Sequence, residues 1–97
     1  MPLKIRNVIH RGLRRFMERD DPSGLAPNVV EKVRNILTFL QEMDDPRELA
    51  ALPHWKAHRL TGDRKGTWSI SVTRNWRITF RVDKGGEIID LNYEDYH

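Results

Sequence analysis

The sequence predicts an α+β fold, with two N-terminal helices packed on one face of a mainly antiparallel sheet. Three observations carry that expectation. Apolar residues recur at helical spacing between about residues 10 and 43. From Trp55 onward the period changes to two. Glycine- and asparagine-containing turns then separate the later segments at hairpin distances. Strand, two helices, then a run of strands is the order of a helical layer on a sheet. The 97 residues make one domain, 1–97, with a modest core.

Each element has its own signal. "LKIRNVI" alternates at Leu3, Ile5 and Asn7 and reads as a short first strand. "HRGLRRFMERD" places Leu13, Phe16 and Met17 at i, i+3 and i+4, a short amphipathic helix that the turn chemistry of "DPSGLAP" ends. A second helix is expected from about Asn28 to Met43, either opened by Pro27 or capped by Asn28. Val29, Val33, Ile36, Leu37 and Leu40 form its apolar stripe, widened by Val30 and Phe39. "DDPRELAALP" is a break with one helical turn around Glu48. "WKAHRL" reads as a strand and "TGDRKG" as a loop. "TWSISV" and "WRITFRV" are strands joined at Thr73-Arg74-Asn75. "DKGG" then turns into "EIIDLNY".

Composition narrows the function classes. There is no cysteine, so disulfide frameworks and thiolate metal sites are excluded, which fits a reducing, cytoplasmic setting. "MPLKIRNVIH" is charged and lacks the apolar core of a secretory signal, and no apolar run reaches membrane-spanning length. The sequence holds no HExxH and no Asp/Asn-rich Ca²⁺ loop, so neither a metal nor another cofactor is expected. The net charge of +3 is unevenly spread: +5 over residues 1–19, −4 over 20–53, +6 over 54–81 and −4 over 82–97. The central basic block (Lys56, Arg59, Arg64, Lys65, Arg74, Arg77 and Arg81 against Asp63) either meets a polyanion or forms a solvated mixed-charge surface.

Alternation divides the sheet's faces. Trp68, Ile70 and Val72, with Trp76, Ile78, Phe80 and Val82, are expected against the helices. The other face then carries Ser69, Ser71, Thr73, Arg77, Thr79 and Arg81 and is expected to be solvated. Arg77 sits mid-strand among bulky neighbours, where a held guanidinium fork suits phosphate. Parity leaves "WKAHRL" undecided, because each face mixes charge with an apolar group. Taken alone, His58 there reads as an ordinary hydrogen-bonded sheet histidine before it reads as a catalytic one.

"HRLTGDRKGTWSISVTRNWRITF" and the ending "LNYEDYH" resemble the HigB-type toxins of the RelE/ParE superfamily of toxin–antitoxin systems. The likeness covers length, element order, the hairpin and the ending; residues 1–50 match in organisation more than in motif. It implies a RelE-like, microbial-RNase-like domain that enters the ribosome and cuts messenger RNA. It also implies a cognate helix-turn-helix antitoxin, HigA-like, through which alone the toxin reaches operator DNA, and no membrane partner. The functional positions it implies are His58, Arg77, Asp95, Tyr96 and His97. One position departs: Thr61 stands before Gly62, where lysine is common in the family, and Lys56, Arg59, Arg64 and Lys65 lie near enough in sequence to substitute.

Metal-free cleavage uses the RNA's own 2′-hydroxyl as nucleophile. It needs a base, an acid and a cation on the phosphate. With Arg77 as the clamp, His58 and His97 are the acid–base pair, the assignment between them open. Asp95 and the terminal carboxylate beside His97 favour its imidazolium, and Tyr96 can stack on a base. The basic face, Lys56, Arg59, Arg64, Lys65, Arg74 and Arg81, would meet RNA or the ribosome. Two other readings are a ParE-like, non-enzymatic gyrase inhibitor and a relic that only binds its antitoxin.

Overall fold

The computed structural model describes residues 4–95; the expectations for Leu3, Tyr96 and His97 lie outside them. Helix α1 (Arg11–Arg19) and helix α2 (Val30–Glu42) cover a five-stranded sheet of β1 (Lys4–Ile5), β2 (His58–Arg59), β3 (Trp68–Ser71), β4 (Trp76–Val82) and β5 (Glu87–Asp95). The order across the sheet is β1-β5-β4-β3-β2, with β1 parallel to β5 and every other pair antiparallel. The predicted architecture is the observed one.

Helix α1 begins where His10 Nδ1 accepts a hydrogen bond from the Leu13 N–H at 3.0 Å, and ends at Asp20 in a left-handed conformation. A 3₁₀ turn, Pro27–Val29, leads into α2. Pro27 therefore opens this segment and no side chain caps α2, which starts two residues after Asn28 and stops one before Met43. The stripe Val29, Val33, Ile36, Leu37 and Leu40 is buried as expected. It packs with Leu13, Phe16, Leu49, Ile70, Ile78, Phe80, Ile88 and Leu91 into one core between helices and sheet. The turn around Glu48 is a 3₁₀ segment, Pro46–Ala51, closed by a reciprocal Asp45–Glu48 capping box.

Three expectations are corrected. "WKAHRL" is not one strand. Pro53 starts a 3₁₀ turn that buries Trp55 edge-on against Phe39, and Lys56 then takes a left-handed φ of 51°. Pairing is left to His58 and Arg59 alone. Trp76 keeps the predicted parity but remains 37% exposed, because it lies at the strand's start, stacked on Tyr93 at 4.8 Å. The last strand does not stop at Tyr93: Glu94 and Asp95 still pair, with Arg77 and Trp76.

Strand β5 also breaks its own alternation. Asp90 adopts φ 54°, and together with Leu91 it fills the space opposite Phe80, between the pairs Thr79–Asn92 and Arg81–Ile89. Asn7 secures this bulge: its Oδ1 accepts from the Asp90 N–H at 3.0 Å, and its Nδ2 donates to Asp90 Oδ1 at 3.2 Å. The bulge lets Ile88, Leu91 and Tyr93 all face the core, leaving Asn92 and Glu94 on the other side.

Candidate active site

The register builds the face away from the helices. His58 pairs with Ser69, Ser69 with Thr79, and Thr79 with Asn92. The next row is Ser71, Arg77 and Glu94. Directly paired residues share a face, so His58, Arg77 and Glu94 stand on one surface. Strand spacing puts the backbones of His58 and Arg77 about 12 Å apart, two strands across and two residues along. Both side chains are long enough to reach one phosphodiester placed between them. The parity that sequence left open for His58 is thus resolved toward Arg77.

His58 is exposed, and its Nδ1 lies 2.9 Å from the Lys56 carbonyl. A carbonyl only accepts, so Nδ1 carries the proton and Nε2 is left with a lone pair. Arg77 is half-buried in the middle of the sheet, which limits its freedom before any ligand arrives.

Ser69 and Thr79, expected to be solvated, are only 2% and 1% exposed. The loop after β2 reaches this side of the sheet through Arg64. Gly62 and Gly66, with φ of 72° and 91°, shape it through backbone conformations that side-chain-bearing residues disfavour. Arg64 reaches from this loop to Glu94, donating two hydrogen bonds at 2.8 and 2.7 Å, and the Thr79 hydroxyl donates to the same carboxylate. Arg64's hydrogen bonds, joined by the Thr79 bond and the charges of Arg64 and Arg77, hold the Glu94 carboxyl below its ordinary pKa against the opposing effect of burial. Sequence reading gave Glu94 no site role. An ionised side chain inside an apolar strand was the available signal.

A depressed pKa means that the Glu94 contribution is complete above its unfolded value near 4.5 and is lost as pH falls through the folded one. Glu94→Gln should therefore destabilise the chain near neutrality by about 1–2 kcal/mol, a value reduced from the usual charged hydrogen-bond range because Arg64 is 43% exposed. Urea melts of both chains at pH 7 and pH 3.5 measure this, and the difference should shrink at the lower pH. A gap equal at both values would contradict the linkage.

The other basic residues are placed unequally. Lys56, Lys65 and Arg74 are exposed, and Arg81 lies 3.9 Å from Asp90. Arg59 departs from the group: it pairs with Trp68 and lies over that ring at 5.3 Å, on the helix side of the sheet. Asp95 pairs with Trp76, so alternation gives it Trp76's parity rather than Arg77's. Thr61 is exposed and makes no cap to the turn that follows.

A helix-backed, mainly antiparallel five-stranded sheet is also the fold of solved toxin structures. Residues 6–97 match the family described as the RelE-like toxin of type II toxin–antitoxin system HigB, and the chain belongs to that family. It is 41% identical to the Endoribonuclease HigB of Proteus vulgaris over 95 residues, covering 96% of this chain and 99% of the relative. Among solved structures, it shares its fold with the toxin–antitoxin complex RelBE2 of Mycobacterium tuberculosis (TM-score 0.52, 18% identity, 98% and 99% of the two chains). It also resembles a YoeB/ParE toxin from Agrobacterium tumefaciens (TM-score 0.50, 22% identity, 97% and 99%). As a toxin of a type II system, the chain has an antitoxin as partner.

Proposed function

We propose that this toxin is an endoribonuclease that cuts messenger RNA in the ribosomal decoding site, without a metal, and that a helix-turn-helix antitoxin of the HigA kind neutralises it. The observation that carries the reading is the shared face of His58 and Arg77, backed by the Arg64–Glu94–Thr79 network. The near-full-length likeness to an endoribonuclease supports the class of activity. Toxicity through translation fits the cytoplasm, and no described helix is long and apolar enough to cross a membrane.

The chemistry follows from the groups. The 2′-oxygen attacks the adjacent phosphorus as a base takes its proton; the P–O5′ bond breaks, and an acid protonates the leaving 5′-oxygen. The products are a 2′,3′-cyclic phosphate and a 5′-hydroxyl. Arg77 neutralises charge growing on the non-bridging oxygens. His58 fits the base, since its Nδ1 is committed to Lys56 and its Nε2 accepts. His97 then supplies the acid and Tyr96 holds a base by stacking; Asp95, paired with Trp76 and not with Arg77, is left out of the centre. Lys56, Lys65, Arg74 and Arg81 bind the RNA or ribosomal backbone around this centre, and Arg64 shapes it through Glu94. Arg59 adds charge from the Trp68 side.

Thr61→Lys should keep or raise activity, because it adds a cation beside the His58 strand at an exposed position. A large loss of cleavage with the fold intact would give Thr61 a role of its own. The reading as a whole is tested by expressing the chain without its antitoxin and mapping message ends. Cuts within translated regions are expected. Growth arrest with uncut messages and impaired DNA supercoiling would favour the protein-binding alternative instead.

A further inference from the structure

Helix α1 carries charge that the proposed active site does not use. Arg11, Arg14, Arg15 and Arg19 fall at i, i+3, i+4 and i+8 on its exposed side, opposite the buried Leu13 and Phe16. With Glu18 they line a shallow open hollow of about 460 Å³. Their state contrasts with that of four arginines elsewhere. Arg64 is bound to Glu94, Arg6 to Asp83, Arg34 to Asp20 and Arg47 to Asp45. Among the described residues, no ion pair engages any of the four α1 arginines; Arg15 donates only to the Ser23 hydroxyl, at 3.2 Å. Asp21 lies near Arg15 and Arg19 without bonding to either, its carboxylate taken up by Ser23. Lys4 and Arg6 flank Arg14 in the neighbouring hollow and extend the basic area.

We propose that this arginine stripe is a second docking surface, and that its ligand is the phosphate backbone of a structured RNA rather than the strand being cut. Arg11, Arg15 and Arg19 follow one another by about one helical turn, near 5.4 Å, with Arg14 beside Arg15, so the stripe can meet successive phosphates. Because α1 packs on the helix side of the sheet, the stripe faces away from the Arg77 surface, across a molecule of 33 × 28 × 25 Å. An enzyme enclosed by folded RNA meets phosphates on both sides, so the inference rests on the ribosomal reading above. Planar forks with no carboxylate partner among the described residues fit phosphates and leave α1 positive.

The test compares the wild-type chain with a variant carrying Arg11→Gln, Arg14→Gln, Arg15→Gln and Arg19→Gln. Glutamine preserves helix propensity, and the single variants Arg11→Gln and Arg19→Gln stand in if the fourfold one fails to fold. Binding to purified small ribosomal subunits and to a duplex RNA hairpin is titrated against salt. The fourfold variant should bind at least about tenfold more weakly, with a salt slope shallower by about 3; each single variant should lower it by about 0.7–0.9. Antitoxin affinity should be unchanged throughout. Equal RNA affinity for wild type and variants, or no RNA binding by the wild type, overturns the proposal. So does a loss of antitoxin affinity with RNA binding intact, which would assign the stripe to an acidic protein. Wild-type binding through α1 with no message cleaved would overturn the nuclease reading and leave the docking surface standing.

Discussion

Replacing Arg77 by alanine is expected to abolish toxicity and to slow cleavage by about 10²–10³-fold, the usual effect of removing one preorganised group that stabilises transition-state charge. The size follows from position. Arg77 stands on a central strand between Ser71 and Glu94, half-buried, so its fork is aimed before RNA binds. The chain should still fold, because the core is built from Ile78 and Phe80 on the other side; losing the aliphatic stem should cost about 1 kcal/mol. Arg77→Lys keeps the charge without the fork and should fall between the two. Circular dichroism and single-turnover rates separate the effects. Full activity of the alanine variant, or its unfolding, would contradict the assignment of this face.

Removing His97 should produce a loss of similar kind by another route. If its imidazolium protonates the leaving 5′-oxygen, deletion should slow cleavage by about 10²-fold or more. Melting temperature and antitoxin affinity should hardly change, because the role expected of His97 is in the chemistry. Equal single-turnover rates for the native and des-His97 chains would remove the tail from the mechanism and leave the acid to be found elsewhere.

How far the sequence reached depends on which interactions set each feature. The α2 stripe and the β3–β4 hairpin were legible because burial and alternation are local patterns. Arg77 was legible for the same reason, as a cation at an outward position in an apolar strand. The face of His58 was not, because only pairing with Ser69 fixes it, and register is a property of two strands. Glu94 was overlooked because its partners, Arg64 and Thr79, lie 30 and 15 residues away. The early end assigned to the last strand has a different cause: the Asp90 bulge resets the alternation, so "EIIDLNYED" does not read as one regular strand.

The central claim is that this chain cuts message only on the ribosome, through the Arg77 face. It is tested most directly by single-turnover cleavage of one end-labelled message, free in solution and bound in the decoding site of programmed ribosomes. Rapid cutting of the ribosome-bound message is expected, with 2′,3′-cyclic phosphate and 5′-hydroxyl ends, and negligible cutting of the free one. Equal rates on both substrates, or an intact message in both while Arg77→Ala remains as toxic as the native chain, would contradict it.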